Sequence, residues 1–435
     1  MSRSLSTSPS LRIITLCALY IAQGLPYGFV TIALKNHLSA RGVSVAEIGA
    51  LLSMVVLPWA FKFLWGPLID RFSFPAMGRR RPWLLLAQLA AVTTLIGCAV
   101  FTNLEDDIRA LSWALFSLNF FLSLQDVSTD SLAVDLLNEK ERGKANGFMY
   151  GSSYVGTFLG GAVIGHFLTR DGGSITSALL YMAFAIFLIS LLPLFLRERT
   201  GEKLFPWSRE GSCQIPEENA GATSLAELLG MLRRAFSKPV ALLALVYAFF
   251  AYFSDSLLSV AGSNFFVTET DWTDESYSKL ESIGLWFSLG GAVLGGLIAD
   301  RLGIKRVLIT SGTILALCWV SFGLLNEYWK NSTYVSAMFL IQSSSIGVMA
   351  VSSFSLFMGI SDRKVAATQF TGYMAMLNLS TSSGNRMAGN FTSWIPSRMD
   401  DLYLLCGLFH LSLMLFVFIF LHPSRESPDS QNPPN

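Results

Sequence analysis

The sequence predicts an all-helical integral membrane protein with twelve spanning helices in two six-helix halves. Three observations carry that expectation. The first is composition: of 435 residues, 52% are hydrophobic and 14% charged, against about 25% charged in a soluble domain. The second is a series of twelve apolar runs, each near the roughly 20 residues that cross a hydrocarbon core. The third is one long polar stretch, 197–238, which divides those runs six and six. A mean hydropathy of +0.49 excludes a soluble globular enzyme, which could not cover so much apolar surface with so few charges. A net charge of +1 supplies no field for a nucleic-acid partner.

The runs occupy residues 12–34, 46–70, 82–102, 110–137, 145–168, 177–196, 239–268, 281–299, 306–326, 334–360, 365–392 and 402–421. Several hold internal Gly and Pro, which membrane helices tolerate. The tenth and eleventh are diluted by Ser, Thr and Asn, yet each is too long for a surface loop. The first run follows a short polar start without a small-residue cleavage site, so it reads as a retained helix rather than a signal peptide. Lys and Arg divide 22 to 7 between the side of the termini and the other side, with Lys62 and Arg386 inside helices. That asymmetry places both termini in the cytoplasm.

The expected organisation is a first half at 1–196, a cytoplasmic linker at 197–238, a second half at 239–421 and a polar tail at 422–435. Within the linker, Ser224 and Glu227 form a capping-box pattern. Leu225, Leu228, Leu229, Leu232 and Phe236 then share one face, which reads as an amphipathic lead-in to the seventh helix. Cys17, Cys98, Cys318 and Cys406 lie in apolar runs and Cys213 in a polar loop, none at CxxC or metal-ligand spacing, so they read as packing thiols. His166 and His410 read as interfacial residues near the outer helix ends. No P-loop is present. No cofactor, no metal and no direct hydrolysis of ATP are therefore expected.

The two halves repeat a signature. After the second run comes Gly66-Pro-Leu-Ile-Asp70-Arg71, then Gly78-Arg79-Arg80-Arg81. After the eighth comes Gly296-Leu-Ile-Ala-Asp300-Arg301-Leu-Gly303-Ile-Lys305-Arg306. In each, Gly precedes Asp by four, Arg follows at once, and a Gly-plus-basic cluster comes next. This resembles the loop signature of the major facilitator superfamily, and the resemblance implies that family's fold and solute transport by alternating access. The glycines would let helices approach closely. The resemblance implies that Asp70 faces the start of helix eleven near Ala366 to Thr368, and Asp300 the start of helix five near Lys144 and Ala145, where a helix N-terminus favours a carboxylate. Arg79 to Arg81 would bridge to Asp135 or Glu139. Such contacts would latch the inner face; the alternative is that these charges only set topology.

A narrower resemblance lies in Leu57-Pro-Trp-Ala-Phe-Lys62-Phe-Leu-Trp65, in the Arg-rich loop, and in Gln125-Asp126-Val-Ser-Thr-Asp130 followed by Asp135. These stretches are similar to the AmpG muropeptide permeases and the related acetyl-CoA transporters. Ala366-Ala-Thr368-Gln369-Phe370 is similar to the opening of their eleventh helix, and Ser254-Asp255 stands where they have a Gly-Asp pair. Tyr252 departs from a lysine common there. Gln23-Gly-Leu-Pro26-Tyr27-Gly28 is also similar to short siderophore permeases.

Charges at mid-membrane cost about 3 kcal/mol even by low measures, so each calls for a reason. Asp126 and Asp130 are four apart on one helix face, and Lys62 can share their depth. Either Lys62 neutralises them in an ion-pair network, or one carboxylate takes up a coupling proton. Asp255 is a proton site or a substrate ligand. Arg386 is a clamp for a substrate carboxylate or phosphate, or a partner of Asp255. Gln23 and Tyr27 could line the same cavity. The expectation is a proton-coupled symporter of a polar or anionic solute, a cell-wall sugar-peptide by the AmpG resemblance. An acyl-CoA or siderophore permease is the alternative within transport, and a non-transporting receptor on the same fold lies outside it. No enzymatic constellation is found. A monomer in a bacterial inner membrane, surrounded by lipid and binding a small molecule, completes the expectation.

Overall fold

Hydrocarbon offers no hydrogen bonds to a backbone, so apolar runs of this length satisfy their N–H and C=O groups within themselves and become helices. A computed structural model describes residues 4–72, 77–101, 107–137, 139–170, 173–205, 236–361, 366–394 and 398–421, with the single residues 207, 230 and 233. Of the linker's expected amphipathic segment only Gly230, Arg233 and Phe236 are described, and the tail lies outside the described residues.

The described helices follow the twelve runs. In the first half, α1 spans Pro9–Ala40, α2 Val45–Ala60 with a continuation at Trp65–Arg71, α3 Arg81–Phe101 and α4 Ile108–Leu136. Next, α5 spans Glu139–Phe158, with an extension to Thr169, and α6 Ile175–Phe195. In the second half, α7 spans Pro239–Glu269, α8 Asp274–Leu302, α9 Ile304–Leu324, α10 Ser332–Ile360, α11 Ala366–Trp394 and α12 Met399–Phe420. Among the described residues, nine of these are apolar and long enough by themselves to cross a membrane. The other three are α4, α5 and α11, which are more polar; α4 turns Asn119, Gln125, Asp126, Ser128 and Thr129 inward, while Arg386 on α11 stays exposed.

Caps set several starts. Ser44 and Glu47 form a capping box at α2, Thr273 and Ser276 one at α8, and Asp107 caps α4. Within the first half α1 packs on α5, and α3 on α4 and α6. In the second half α8 packs on α10, and α9 on α12. The halves meet along α2 and α11, and where α1 and α5 approach α8. Twelve antiparallel spans put both ends of the chain on one face, here called the terminal face; the opposite face is the distal one.

Glycine decides the closest packing, but not where the repeated signature suggested. A Cβ on Gly66 would meet nothing within 4 Å, and one on Gly296 would only touch Val351 at 3.7 Å. The tight seams use other glycines, as at Gly291 and Gly347 between α8 and α10, and most densely where α1 meets α5. There a Cβ on Gly24, Gly28, Gly156 or Gly160 would collide with the facing backbone, the small-xxx-small arrangement of membrane helix pairs.

The first residues of the expected linker pack on the first half. Leu5 and Ser6 N–H donate to the carbonyls of Arg197 (2.8 Å) and Glu198 (2.9 Å). The Arg81 guanidinium is buried and donates to the carbonyls of Pro193 (2.5 Å), Leu194 (2.6 Å), Lys203 (3.2 Å) and Leu204 (2.8 Å). Glu198 in turn accepts from the backbone N–H groups of Arg79 (3.2 Å), Arg80 (2.7 Å) and Arg81, anchoring the start of α3. Arg80 Nε reaches Asp135 at 2.9 Å. The arginine run therefore ties together the terminal face of one half. Asp70, Arg71, Asp300, Glu139, Lys144 and Ala366 to Thr368 have side chains outside the described set. Arg301 and Arg306 are exposed, and Lys305 donates to the Phe418 carbonyl at 2.8 Å.

Burial pushes the Glu198 carboxyl up to about 7, helped by Glu202 and opposed by its three backbone donors. A raised carboxyl favours the fold below its unfolded value and withdraws that support as pH climbs through the folded one. The melting temperature of wild type relative to Glu198→Gln is therefore expected to fall between pH 5 and pH 8; a pH-independent difference contradicts this. Gly160→Val is expected to cost about 1–3 kcal/mol by overpacking. Gly97→Ala, with open space around it, should leave the melting temperature unchanged.

Candidate functional site

Two spanning helices are broken. In α2, Pro58 offers no N–H, the helix ends at Ala60, and Lys62–Leu64 form a single 3-10 turn. In α7 the break falls at Tyr252, whose N–H is taken by Ser380 Oγ at 3.2 Å. Broken helices at membrane depth are tolerated where they line a cavity. Lys62 and Asp255, beside these breaks, both line a central cavity of about 590 Å³ walled by the two halves.

One cluster lies in the first half. Lys62 Nζ bonds Asp126 Oδ2 at 2.9 Å. One helical turn along α4, Asp130 Oδ1 accepts the Tyr20 hydroxyl at 2.5 Å. Trp59, packed beside Lys62, donates its indole N–H to Asn119 at 3.0 Å. All six side chains line the cavity.

A second cluster joins the halves. Lys35 Nζ, on α1, donates to Glu281 Oε1 at 2.6 Å and to Ser259 Oγ at 2.9 Å, both in the second half. Asn36 Nδ2 donates to Glu281 Oε2 (2.7 Å) and Ser278 Oγ (2.9 Å), and Ser263 Oγ donates to the Asn36 carbonyl. The pair is sealed from solvent, with Lys35 at 1% and Glu281 at 9% exposure. Nearer the distal surface, His37 faces Asp274 at 3.5 Å and His166 faces Glu275 at 3.6 Å. Each of these contacts runs between α1 or α5 and α7 or α8. Together they close the distal side, so the cavity lies between this seam and the terminal face.

Lys35 and Glu281 escape a reading of apolar runs. The runs end the first helix at 34 and begin the eighth at 281, leaving both residues at margins, whereas α1 continues to Ala40 and α8 begins at Asp274. The Thr273-to-Ser276 capping pattern was the signal that could have placed the start of α8.

Gln23 and Tyr27 line the cavity, as does Asp255. Arg386 does not. It is exposed on α11, eight residues beyond the lining residue Asn378, which turns it about 80° off that face and two turns toward the distal end. Among the described residues, Lys62 is the one cation in the cavity wall, so no anion clamp stands there. His410 is not interfacial: it is fully buried, edge-on to Trp319 at 5.3 Å, and neither ring nitrogen has a hydrogen-bond partner. Among the described residues no group of three or more His, Cys, Asp or Glu is arranged to hold a metal ion.

Comparison with known proteins agrees with this architecture. The family model of the Major Facilitator Superfamily matches residues 14–384 and 244–435. The anhydromuropeptide permease of Escherichia coli K12 is 23% identical over 384 residues, 87% of this chain and 73% of that protein. The putative transporter AmpG 4 of Rickettsia felis is 22% identical over 423 residues, 94% of this chain and 96% of that protein. Among solved structures, a D-xylose-proton symporter superposes with a TM-score of 0.70 at 15% identity, covering 95% of this chain and 98% of its own. The nucleoside transporter NupG does so with a TM-score of 0.70 at 15% identity, covering 93% and 98%.

Removing one member of a buried ion pair costs about 3–5 kcal/mol because its partner is left uncompensated. Glu281→Gln is therefore expected to raise labelling of a cysteine placed at Ser278, now 6% exposed, by a distal-side reagent severalfold. Lys35→Glu combined with Glu281→Lys should bring labelling back toward the parent. Unchanged labelling in Glu281→Gln would show that the pair does not hold the seam.

Proposed function

Because the chain belongs to the major facilitator superfamily, we propose that it is a proton-coupled symporter importing a sugar-peptide of the muropeptide class. The chain is a multi-pass membrane transporter, not an enzyme, and its AmpG-type relatives and fold neighbours belong to secondary transport. The proposed orientation puts the terminal face in the cytoplasm of a bacterial inner membrane, the sealed distal face outside, and a single chain as the working unit.

One observation carries the coupling: Asp126 and Asp130 share a single lysine at the cavity wall. Lys62 neutralises Asp126 directly. Asp130 stands one turn away with a phenol as its donor, and a second carboxylate beside the first favours taking up a proton over carrying a second buried charge. A proton there cancels the excess charge before the cavity moves across the membrane. The solute class rests on the wall itself, where tyrosines, Trp59, Asn119 and Gln23 combine flat aromatic faces with hydrogen-bonding groups, as hydroxyl- and amide-rich molecules require. An acyl-CoA, with several negative charges, would meet carboxylates and one already paired lysine.

The test is uptake by the full chain in proteoliposomes, with anhydro-muropeptides, acetyl-CoA and ferric siderophores offered with and without an inward proton gradient. Gradient-driven accumulation of the muropeptide alone is expected, and Asp130→Asn should reduce it by at least about tenfold. Accumulation of acetyl-CoA or siderophore instead would replace the substrate. Gradient-driven uptake that survives Asp126→Asn with Asp130→Asn would remove the proton site.

A further inference from the structure

Charges in the cavity wall, with Lys35 buried behind it, fall into two sets of equal make-up. In the first half, Asp126 and Asp130 face Lys62. Across the cavity, Asp255 and Glu281 face Lys35, which bonds Glu281 at 2.6 Å and lies within Coulombic range of Asp255. Each set leaves one carboxylate in excess. A carboxylate withdrawn from water needs a compensating cation, whether a proton or part of a ligand.

The two excess carboxylates differ in surroundings. Asp130 accepts a phenolic hydrogen bond and has Asp126 one turn away. Asp255 lies in the first turn of the α7 segment Phe253–Glu269, at the positive end of the helix dipole. Among the described residues no hydrogen bond or ion pair reaches it, and it lines the cavity. It is thus an unpaired carboxyl group facing the cavity. Tyr27 and Tyr403 lie within Coulombic range; both line the cavity, and Tyr27 is 45% exposed. Aromatic faces beside a carboxylate suit an organic cation.

Independent of these charges, Gln23 also points to a ligand. It is 6% exposed, lines the cavity one turn from Tyr27 on α1, and its Nε2 has no hydrogen-bond partner. A buried donor left without an acceptor is costly; Nε2 is covered as it stands, and a turn of the Gln23 amide into the cavity would let a ligand oxygen satisfy it.

We propose that Asp255, with Tyr27 and Gln23, forms an ammonium-binding subsite, so that the solute carries a primary amine with an acceptor oxygen nearby. This deepens the transport reading above and rests on it. The proton and the amine then neutralise different carboxylates, one on each side of the cavity.

The experiment uses two probes that differ in one group: an anhydro-muropeptide whose peptide carries one free side-chain amine, and the same molecule acetylated on that nitrogen. Both are offered to the full chain in proteoliposomes under an inward proton gradient. Wild type is expected to accumulate the free amine at least about tenfold faster than its acetylated twin, since acetylation removes the cation that Asp255 would pair and leaves that carboxyl group uncompensated. Asp255→Asn should erase the difference, and Asp255→Glu, which keeps the charge, should retain part of it. Equal uptake of the twins by wild type, or a preference that survives Asp255→Asn, overturns the subsite while the transport reading stands. Uptake of neither twin overturns the transport reading and the subsite together.

Discussion

A charge sealed between two movable bodies holds them together only while its partner stays in place. The ion pair of Lys35 with Glu281 is such a charge. It crosses from α1 to α8, is withdrawn from water on both sides, and is completed by Asn36 and Ser259. The seam it anchors closes the distal side and so gives the cavity its floor. Because both members are buried, neither can be left behind without a large penalty. The closed arrangement is therefore a discrete state rather than a point on a continuous motion.

The same constraint explains where the helices break. Regular α-helix hides its backbone, so a cavity lined by unbroken helices offers only side chains. The interruptions at Phe61 and Tyr252 place Lys62 and Asp255 at the cavity wall, one from each half. Around them the wall is built by the more polar spans: α4 supplies Asp126 and Asp130, α5 supplies Tyr150 and Tyr154, and α11 supplies Asn378. These three helices are the ones too polar to be recognised as spans by apolarity and length alone. The polar residues that these helices give to the cavity wall lie on faces turned away from lipid.

Position relative to water also separates the two arginine groups. Arg81 is buried at the terminal face and its guanidinium fork is matched by four carbonyls, a geometry a lysine could not reproduce. Arg386 sits in a span yet stays exposed, because helical rotation carries it off the face that Asn378 presents. Spacing to the next lining residue decides this, and a charge count along the chain does not contain it.

The amino-acid sequence alone determined that this chain is membrane-embedded, that it has twelve spans in two halves, and that Lys62, Asp126, Asp130 and Asp255 lie at membrane depth. Those conclusions need only local quantities: run length, hydropathy and the cost of a charge in hydrocarbon. The Gly-Asp-Arg repeat was legible too, although close helix contacts use other glycines, Gly24, Gly28, Gly156 and Gly160 among them. Only the tertiary structure decided that Lys35 finds Glu281, 246 residues away in the chain. It also decided that Arg386 is absent from the wall, and that Glu198 reaches back to cap α3. Each of these depends on which faces of distant helices meet, and a single helix's periodicity carries its own buried face but not the identity of the residue opposite.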